Sequence, residues 1–364
     1  MESCVLFQNS TGSVVLIDLP KSIEECQVRP GQALDRTLIQ QAAPPQASFS
    51  TPDPKKSGVQ RDASLPPSVL LAELMAAETV RDALQQVYEE YSGPWTISRT
   101  PLFTVDSSTM MSGTGSRNAS KGEENSSVTV EDCHFPSDSH YISGSICDTR
   151  DYLLKAAPMF DVIVLDPPWP NRSAKRKKNN YSTMGGLEEA RTLLELIPVP
   201  AKLSDAGLVA VWITNSPGAY ILLTGPKGML SDWGLQIVAE WIWLKVTLSG
   251  KPLFDIDSER RKPWERLLIA KRKGAPALNQ KVENKVIISA PDVHSRKPHL
   301  RPFFDSILGN DYRGLEVFAR NLTSGWWSWG DEVLKFQNKK YWNAAQLEEY
   351  GEPRARSQSS RSNN

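Results

Sequence analysis

The chain has 364 residues, of which 40% are hydrophobic, and its 42 basic residues balance 42 acidic ones, for a formal net charge of zero. This is enough apolar material for one large domain or two smaller ones. It excludes a protein that coats nucleic acid through bulk charge, so any polyanion contact must come from a local patch. Cys4, Cys26, Cys133 and Cys147 show no paired metal spacing, and the four histidines add no ligand set, so neither a disulfide framework nor a metal site is expected. No apolar run is long enough to span a membrane, and Met1 to Gln8 lacks the pattern of a signal peptide. The expectation is a soluble intracellular chain without a membrane partner.

Taken in order, Cys4 to Gln8 and Ser13 to Asp18 read as short strands, with Asn9-Ser10-Thr11-Gly12 as the hairpin signal between them. From Pro30 to Pro67 the composition turns to Pro, Gln, Ser and Lys and reads as a flexible connector. Leu70, Leu74, Ala77, Val80, Leu84 and Val87 recur at helical spacing, which predicts a helix from Ser68 to Tyr91 that stops before Gly93-Pro94 and packs on the later part of the chain. Residues 106–131, rich in Ser, Gly, Asn, Thr and Glu, are expected to lack fixed structure.

After Tyr141 strands alternate with helices. The candidate strands are Val162 to Leu165, Leu208 to Thr214, Leu235 to Trp243, Leu267 to Ala270, Val286 to Ser289 and Leu315 to Ala319. The candidate helices are Leu187 to Leu196, Ala219 to Met229 and Leu300 to Leu308, with Gly225-Pro226 interrupting the second. Such alternation implies an α/β fold with a mostly parallel sheet covered on both faces. The expected organisation is an N-terminal region over 1–140, partly disordered, a Rossmann-like domain over 141–340 and a disordered tail over 341–364. Ten of the eleven tryptophans follow residue 166, which concentrates the packed and ligand-facing surface in the later half.

The stretch around which the chain is organised is Phe160 to Trp169. Val162 to Asp166 is an apolar run ending on a carboxylate, the pattern of a buried parallel strand delivering one charge at its carboxyl end, where ligands of open α/β sheets bind. Pro167 and Pro168 lack amide hydrogens and force the strand to stop, leaving nearby carbonyls to accept from a ligand, and Trp169 adds a flat apolar face. A carboxylate, a rigid carbonyl and an indole suit a flat group bearing an amino substituent, such as the edge of a nucleobase. A strand ending in a simple proline turn is the alternative. Trp241 and Trp243 alternate with Ile242 and share one face, as core residues do, and Lys245 closes that strand beside the expected pocket.

Asp166-Pro167-Pro168-Trp169 resembles the signature of the eukaryotic adenine N6-methyltransferases of the MT-A type. Further stretches are similar to the branch called methyltransferase-like protein 4: Ile146-Cys147-Asp148, Trp212 to Asn215, Glu240 to Lys245, Lys262-Pro263-Trp264-Glu265, His294 to Pro298 and Leu315 to Leu322. The resemblance runs from about Tyr141 to Asn338. It implies a permuted Rossmann-like methyltransferase that uses S-adenosyl-L-methionine, in which the catalytic strand comes early and the cofactor strand, Leu315 to Ala319, comes last, followed by a cofactor loop from Asn321 to Glu332. It also explains the lack of a Gly-x-Gly-x-x-Gly fingerprint.

Under this resemblance Asp166, Pro167, Pro168 and Trp169 form the catalytic group. The amino nitrogen of adenine is planar and weakly nucleophilic, and two acceptors on its hydrogens, the Asp166 carboxylate and the Pro167 carbonyl, would favour the pyramidal geometry while Trp169 stacks on the base. The target must be single-stranded or flipped from its stack. The resemblance implies Asp148 near the adenine or amino-acid end of the cofactor, Lys297 on its carboxylate, and Arg320, Asp331 and Glu332 around its ribose, with Asp166 also among the contacts. Asp331 stands where the family usually has Asn. The basic run containing Lys175, Arg176 and Lys177 is read as contacting phosphate in preference to a solvated loop or an import patch. Tyr181 and Lys245 join the substrate side, and Ser258 to Glu265 is expected to be a second active-site loop in which Trp264 supplies the aromatic ring. The expected partner is nucleic acid, RNA in preference to DNA, the branch resemblance implying an adenosine of a small nuclear RNA, and the expected location is nuclear before cytosolic. A scaffold of the same fold that has lost activity, and an enzyme methylating a protein amide or a cytosine amine, are the rival readings. Oligomeric state is left open.

Overall fold

The computed structural model describes residues 3–32, 37–39, 43–50, 66–98, 130–170, 186–258, 261–278 and 280–344. Near the start, β1 (Val5–Gln8) and β2 (Val14–Ile17) pair as an antiparallel hairpin. Its turn closes through Gly12, whose φ of 69° lies in the left-handed region. Asp18 then caps α1 (Leu19–Glu25) by accepting from the Lys21 amide at 2.9 Å, with Pro20 in the first turn. Next come β3 (Thr37–Ile39) and the long α2 (Pro67–Glu90). The helix buries Val69, Ala76, Ala77, Val80, Ala83, Leu84 and Val87 along one stripe. Ala77, Val80, Leu84 and Val87 lie on it as the apolar spacing predicts, whereas Leu70 and Leu74 are exposed and Val69 takes the buried place in the first turn.

The second half continues with β4 (His140–Ser143), α3 (Ile146–Ala156), β5 (Phe160–Leu165), α4 (Leu187–Glu195), α5 (Val199–Lys202) and β6 (Leu203–Ile213). There follow α6 (Pro217–Thr224), α7 (Met229–Asp232), β7 (Leu235–Lys245), β8 (Trp264–Arg272), β9 (Lys285–Ser289), α8 (Arg301–Leu308), β10 (Gly314–Val317), β11 (Trp327–Gly330) and β12 (Trp342–Ala344). The helix expected over Ala219 to Met229 is therefore two pieces. α6 stops at Gly225, Pro226 has no amide to continue it, and α7 begins at Met229.

Ten strands form one sheet in the order β1-β2-β9-β7-β8-β6-β5-β10-β11-β4. All run the same way except β1 and β8, which are antiparallel to their neighbours. The expectation of a mostly parallel α/β sheet holds. The sheet is wider than expected, because β1 and β2 add to it through parallel pairing of β2 with β9, and because β4 forms its far edge. The strand expected to come last, β10, is followed in the chain by β11, which pairs beside it. Its apolar side chains are tryptophans within a Ser- and Gly-rich run, so a strand stands where the resemblance implies the cofactor loop.

One face of the sheet packs under α3, α4, α6 and α7 through Leu153, Leu194, Leu223 and Leu230. On the same face α2 covers Val14, Leu16, Ile242, Leu244, Val286 and Ile288. The other face is closed by α1 and α8 with Ile23, Phe303 and Phe304 against Trp241 and Trp243. The two tryptophans are core residues, as their alternation indicates. Part of the expected connector is also bound to the fold: β3 pairs with β12, the Phe49 amide donates to the Leu253 carbonyl at 2.9 Å, and Ile39 is buried. Backbone pairing supplies there what apolar composition does not. The segments over 51–65, 99–129 and 345–364 lie outside the described residues.

Candidate active site

The connection leaving β5 leads to β6 on one side, while that leaving β10 leads to β11 on the other, so the strand order turns back between β5 and β10. A crevice opens at such a point outside the carboxyl ends of the strands. Asp166 is the first residue beyond the β5 ladder, and its amide donates to the Val317 carbonyl at 3.3 Å. Pro167 and Pro168 end the strand there. The Trp169 indole donates to the Trp212 carbonyl at 2.7 Å, which anchors the tetrapeptide along the exit of β6. The Trp169 amide donates to the Pro167 carbonyl at 2.8 Å, so that carbonyl is already half used rather than free, with one lone pair remaining.

Around Asp166 an alternating chain of charges crosses the crevice. Lys297 lies 3.0 Å from one carboxylate oxygen of Asp166 and Arg320 3.0 Å from the other. Lys297 also reaches Glu265 at 3.2 Å, and Lys245 closes on the same glutamate. Beyond Arg320, Glu332 accepts from the guanidinium at 3.0 Å and from Lys335 at 3.0 Å. Residues from β5, β7 and β8 and from the loops after β9, β10 and β11 thus meet through paired charges, as partly desolvated ions must. Burial works against the ionised form of Glu265, yet Lys245 and Lys297 carry its pKa down to about 2. Burial likewise opposes the charge on Lys297, and Asp166 and Glu265 overcome it, so its pKa is raised.

The crevice beside this chain is lined by Asp166, Trp212, Lys297, Glu316, Arg320 and Asn321. Burial and the neighbouring Asp166 push Glu316 up to about 7. The side-chain nitrogen of Asn321 is buried without a hydrogen-bond partner among the described residues. Two residues with side chains are held in the left-handed region here, Phe318 with φ of 61° and Ser295 with φ of 74°. Each costs on the order of 1–3 kcal/mol. Phe318 turns the chain sharply after β10 so that Arg320 comes back over Asp166.

Of the residues expected in the site, Asp166, Lys245, Lys297, Arg320 and Glu332 are brought together. Asp148 and Asp331 are exposed at the exits of the adjacent strands β4 and β11, and Asp148 accepts from Ser145 at 2.7 Å at the start of α3. Lys175, Arg176, Lys177 and Tyr181 lie outside the described residues. Trp264 is a correction: instead of an aromatic on an active-site loop it is the first residue of β8, fully buried beneath α2. Its neighbour Glu265 is the site residue, because successive strand residues point to opposite faces. Glu265 and Asn321 fall within the expected loops without being singled out there, and Glu316 lies outside the expected site residues. An acid within the apolar run Leu315 to Phe318 was the available signal for Glu316.

A mostly parallel sheet with one reversed strand in its middle, carrying an Asp-Pro-Pro-Trp exit at its switch point, defines a Rossmann-like methyltransferase. The chain belongs to the MT-A70 family, whose model matches residues 160–332. It is 42% identical to the N6-methyladenosine RNA methyltransferase MTA1 of Pyricularia oryzae, over 95% of this chain and 98% of that protein. It is 43% identical to the MTA1 of Cryphonectria parasitica, over 93% of this chain and 94% of the relative. With the human N(6)-adenine-specific methyltransferase METTL4 it shares 37% identity, over 53% of this chain and 42% of the human protein.

Proposed function

We propose that this chain transfers a methyl group from S-adenosyl-L-methionine to the N6 amino group of adenine in RNA. The observation that carries the reading is Asp166, held between Lys297 and Arg320 at the switch point of the sheet and followed by Pro167, Pro168 and Trp169. The preference for RNA over DNA rests on the fungal relatives named as RNA methyltransferases, which match nearly the whole chain.

The residues present fit the cofactor. Its amino-acid carboxylate needs a cation, which Lys297 offers, and its hydroxyls need the acceptors that Glu332 and Asp331 provide. The buried side-chain nitrogen of Asn321 is a donor still to be used. When bound, the cofactor supplies an electrophilic methyl on sulfur. The protein's part is to present the adenine amino group. Asp166 and the remaining lone pair of Pro167 accept its two hydrogens, and the Trp169 ring, fixed through Trp212, offers a face to the base. Methyl transfer is assigned to residues 141–340, the N-terminal region to the substrate side, and the whole to the nucleus in preference to the cytosol.

The test is transfer of labelled methyl to short single-stranded RNA and DNA oligonucleotides containing one adenosine. The expected result is methylation of the RNA adenine amino group, reduced at least about a hundredfold in Asp166→Ala. A larger rate on DNA overturns the RNA assignment. Absence of both transfer and cofactor binding, measured by calorimetry, favours the scaffold reading.

A further inference from the structure

A second cleft lies on the opposite face of the sheet from the Asp166 crevice, between the first turns of α2 and the exit of β6. Its walls include Val69 and Glu73 of α2, Asn215 after β6, Tyr220 of α6, and Lys262 and Trp264 at the start of β8. The two clefts share the entrance to β8: Glu265 turns into the ionic chain, while Trp264 and Arg266 turn to the face covered by α2. They are also joined through β6. Trp212 anchors Trp169 with its carbonyl, and Asn215 stands three residues further along.

The chemistry of this second cleft is that of a base reader. Trp264 and Val69 are buried beneath the cleft, and Tyr220 gives a partly exposed aromatic wall already stacked by Arg266 at 4.7 Å. Asn215 spends one amide hydrogen on the Trp264 carbonyl, which leaves its oxygen and second hydrogen for another partner. Glu73 adds a carboxylate at the rim and Lys262 an ammonium 5.3 Å above the Trp264 ring. Amide and carboxylate edges pair with bases, ammonium groups with phosphate, and aromatic faces with the flat of a base. A target adenine drawn into a pocket leaves its neighbours to run out over the protein on either side.

We infer that this cleft seats a nucleotide adjoining the methylated adenosine, and that α2, which lies outside the matched family segment, supplies half of it. The inference rests on the nucleic-acid reading above, and it makes α2 a substrate-binding element of the active site. Glu73 and Asn215 read the edge of the neighbouring base, and Lys262 holds its phosphate.

The experiment is photocrosslinking with the full chain. A single-stranded RNA oligonucleotide carries 4-thiouridine immediately beside the target adenosine or, as a control, five nucleotides away. The expected result is crosslinking of the adjacent probe to the peptide containing Val69 to Ala76, absent with the distant probe. Alongside it, Glu73→Gln and Asn215→Ala should each weaken binding of the oligonucleotide about tenfold without changing the affinity for the cofactor. Glu73→Gln should also leave the thermal midpoint unchanged, whereas Asn215→Ala gives up the bond to the Trp264 carbonyl. The same variants should treat adenosine mononucleotide as the parent does. Crosslinks confined to other peptides, or unchanged oligonucleotide affinity in both variants, overturn the assignment, including the case in which this face proves to bind another protein. Failure of the parent to bind or methylate any oligonucleotide would instead count against the function itself.

Discussion

Glu316 and Glu265 face the same crevice with opposite electrostatic fates. Glu316, ordinarily near 4.5, is pushed up to about 7 by burial and by Asp166. Its folded form therefore binds a proton more tightly than its unfolded form. The resulting stability is complete below pH 4.5 and is lost as pH rises through 7. Replacing it by Gln removes that loss, so Glu316→Gln should gain roughly 3 kcal/mol over the parent between pH 4 and pH 8, read from denaturant unfolding at both pH values. An equal difference at the two pH values would mean that ionisation at Glu316 is not opposed by the fold. Glu265 runs the other way: burial is outweighed by Lys245 and Lys297, and its contribution is present above pH 4.5 and lost as pH falls toward 2. The sequence displayed Asp166, Lys297, Arg320 and Glu332 because each sits in a recognisable stretch. It did not display Glu265 and Glu316 as their partners, since those contacts join strands far apart in the chain.

Among the elements, α2 shows most clearly how a feature legible by its period acquires a role only through packing. Its apolar spacing placed the helix almost to the residue, but nothing local said that it would cover Ile242, Leu244 and Ile288 of the catalytic sheet. It also grips the connection between β7 and β8, where Tyr88 donates to the Gly250 carbonyl at 3.0 Å and Arg81 pairs with Asp257. That connection carries Lys262 and leads into Glu265. By contrast β11 and α3 were not read. The first is a four-residue run, Trp327-Ser328-Trp329-Gly330, whose alternation is too short to stand out, and the second, with Asp148, Arg150 and Asp151 in an 11-residue span, carries a weak apolar stripe. Leu84→Ala opens a hole in the α2 interface and should cost about 2–4 kcal/mol in denaturant unfolding. With the β7–β8 connection loosened, KM for the oligonucleotide should rise more than kcat falls. A variant with the full stability loss and unchanged KM would separate α2 from the site.

For the molecule as a whole, the order of strands in space fixes what can be separated. The cofactor-side strands β10 and β11 come late in the chain but lie between the early strands β5 and β4, and β1 and β2 come first yet extend the sheet's other side through β9. The hairpin is therefore a continuation of the catalytic sheet, with Val15 and Leu16 fully buried. A ladder shared across the sheet ties these strands to one cooperative opening, whereas a docked appendage would open by itself. Native-state hydrogen exchange tests this directly in the intact chain. The amides of Val15 and Leu16 in β2 should exchange with the same free energy and denaturant dependence as those of Val209 and Ala210 in β6. Exchange in β2 faster by several orders of magnitude, with little denaturant dependence, would mean that the first strands open alone. The wide sheet would then be an assembly of two independently stable parts.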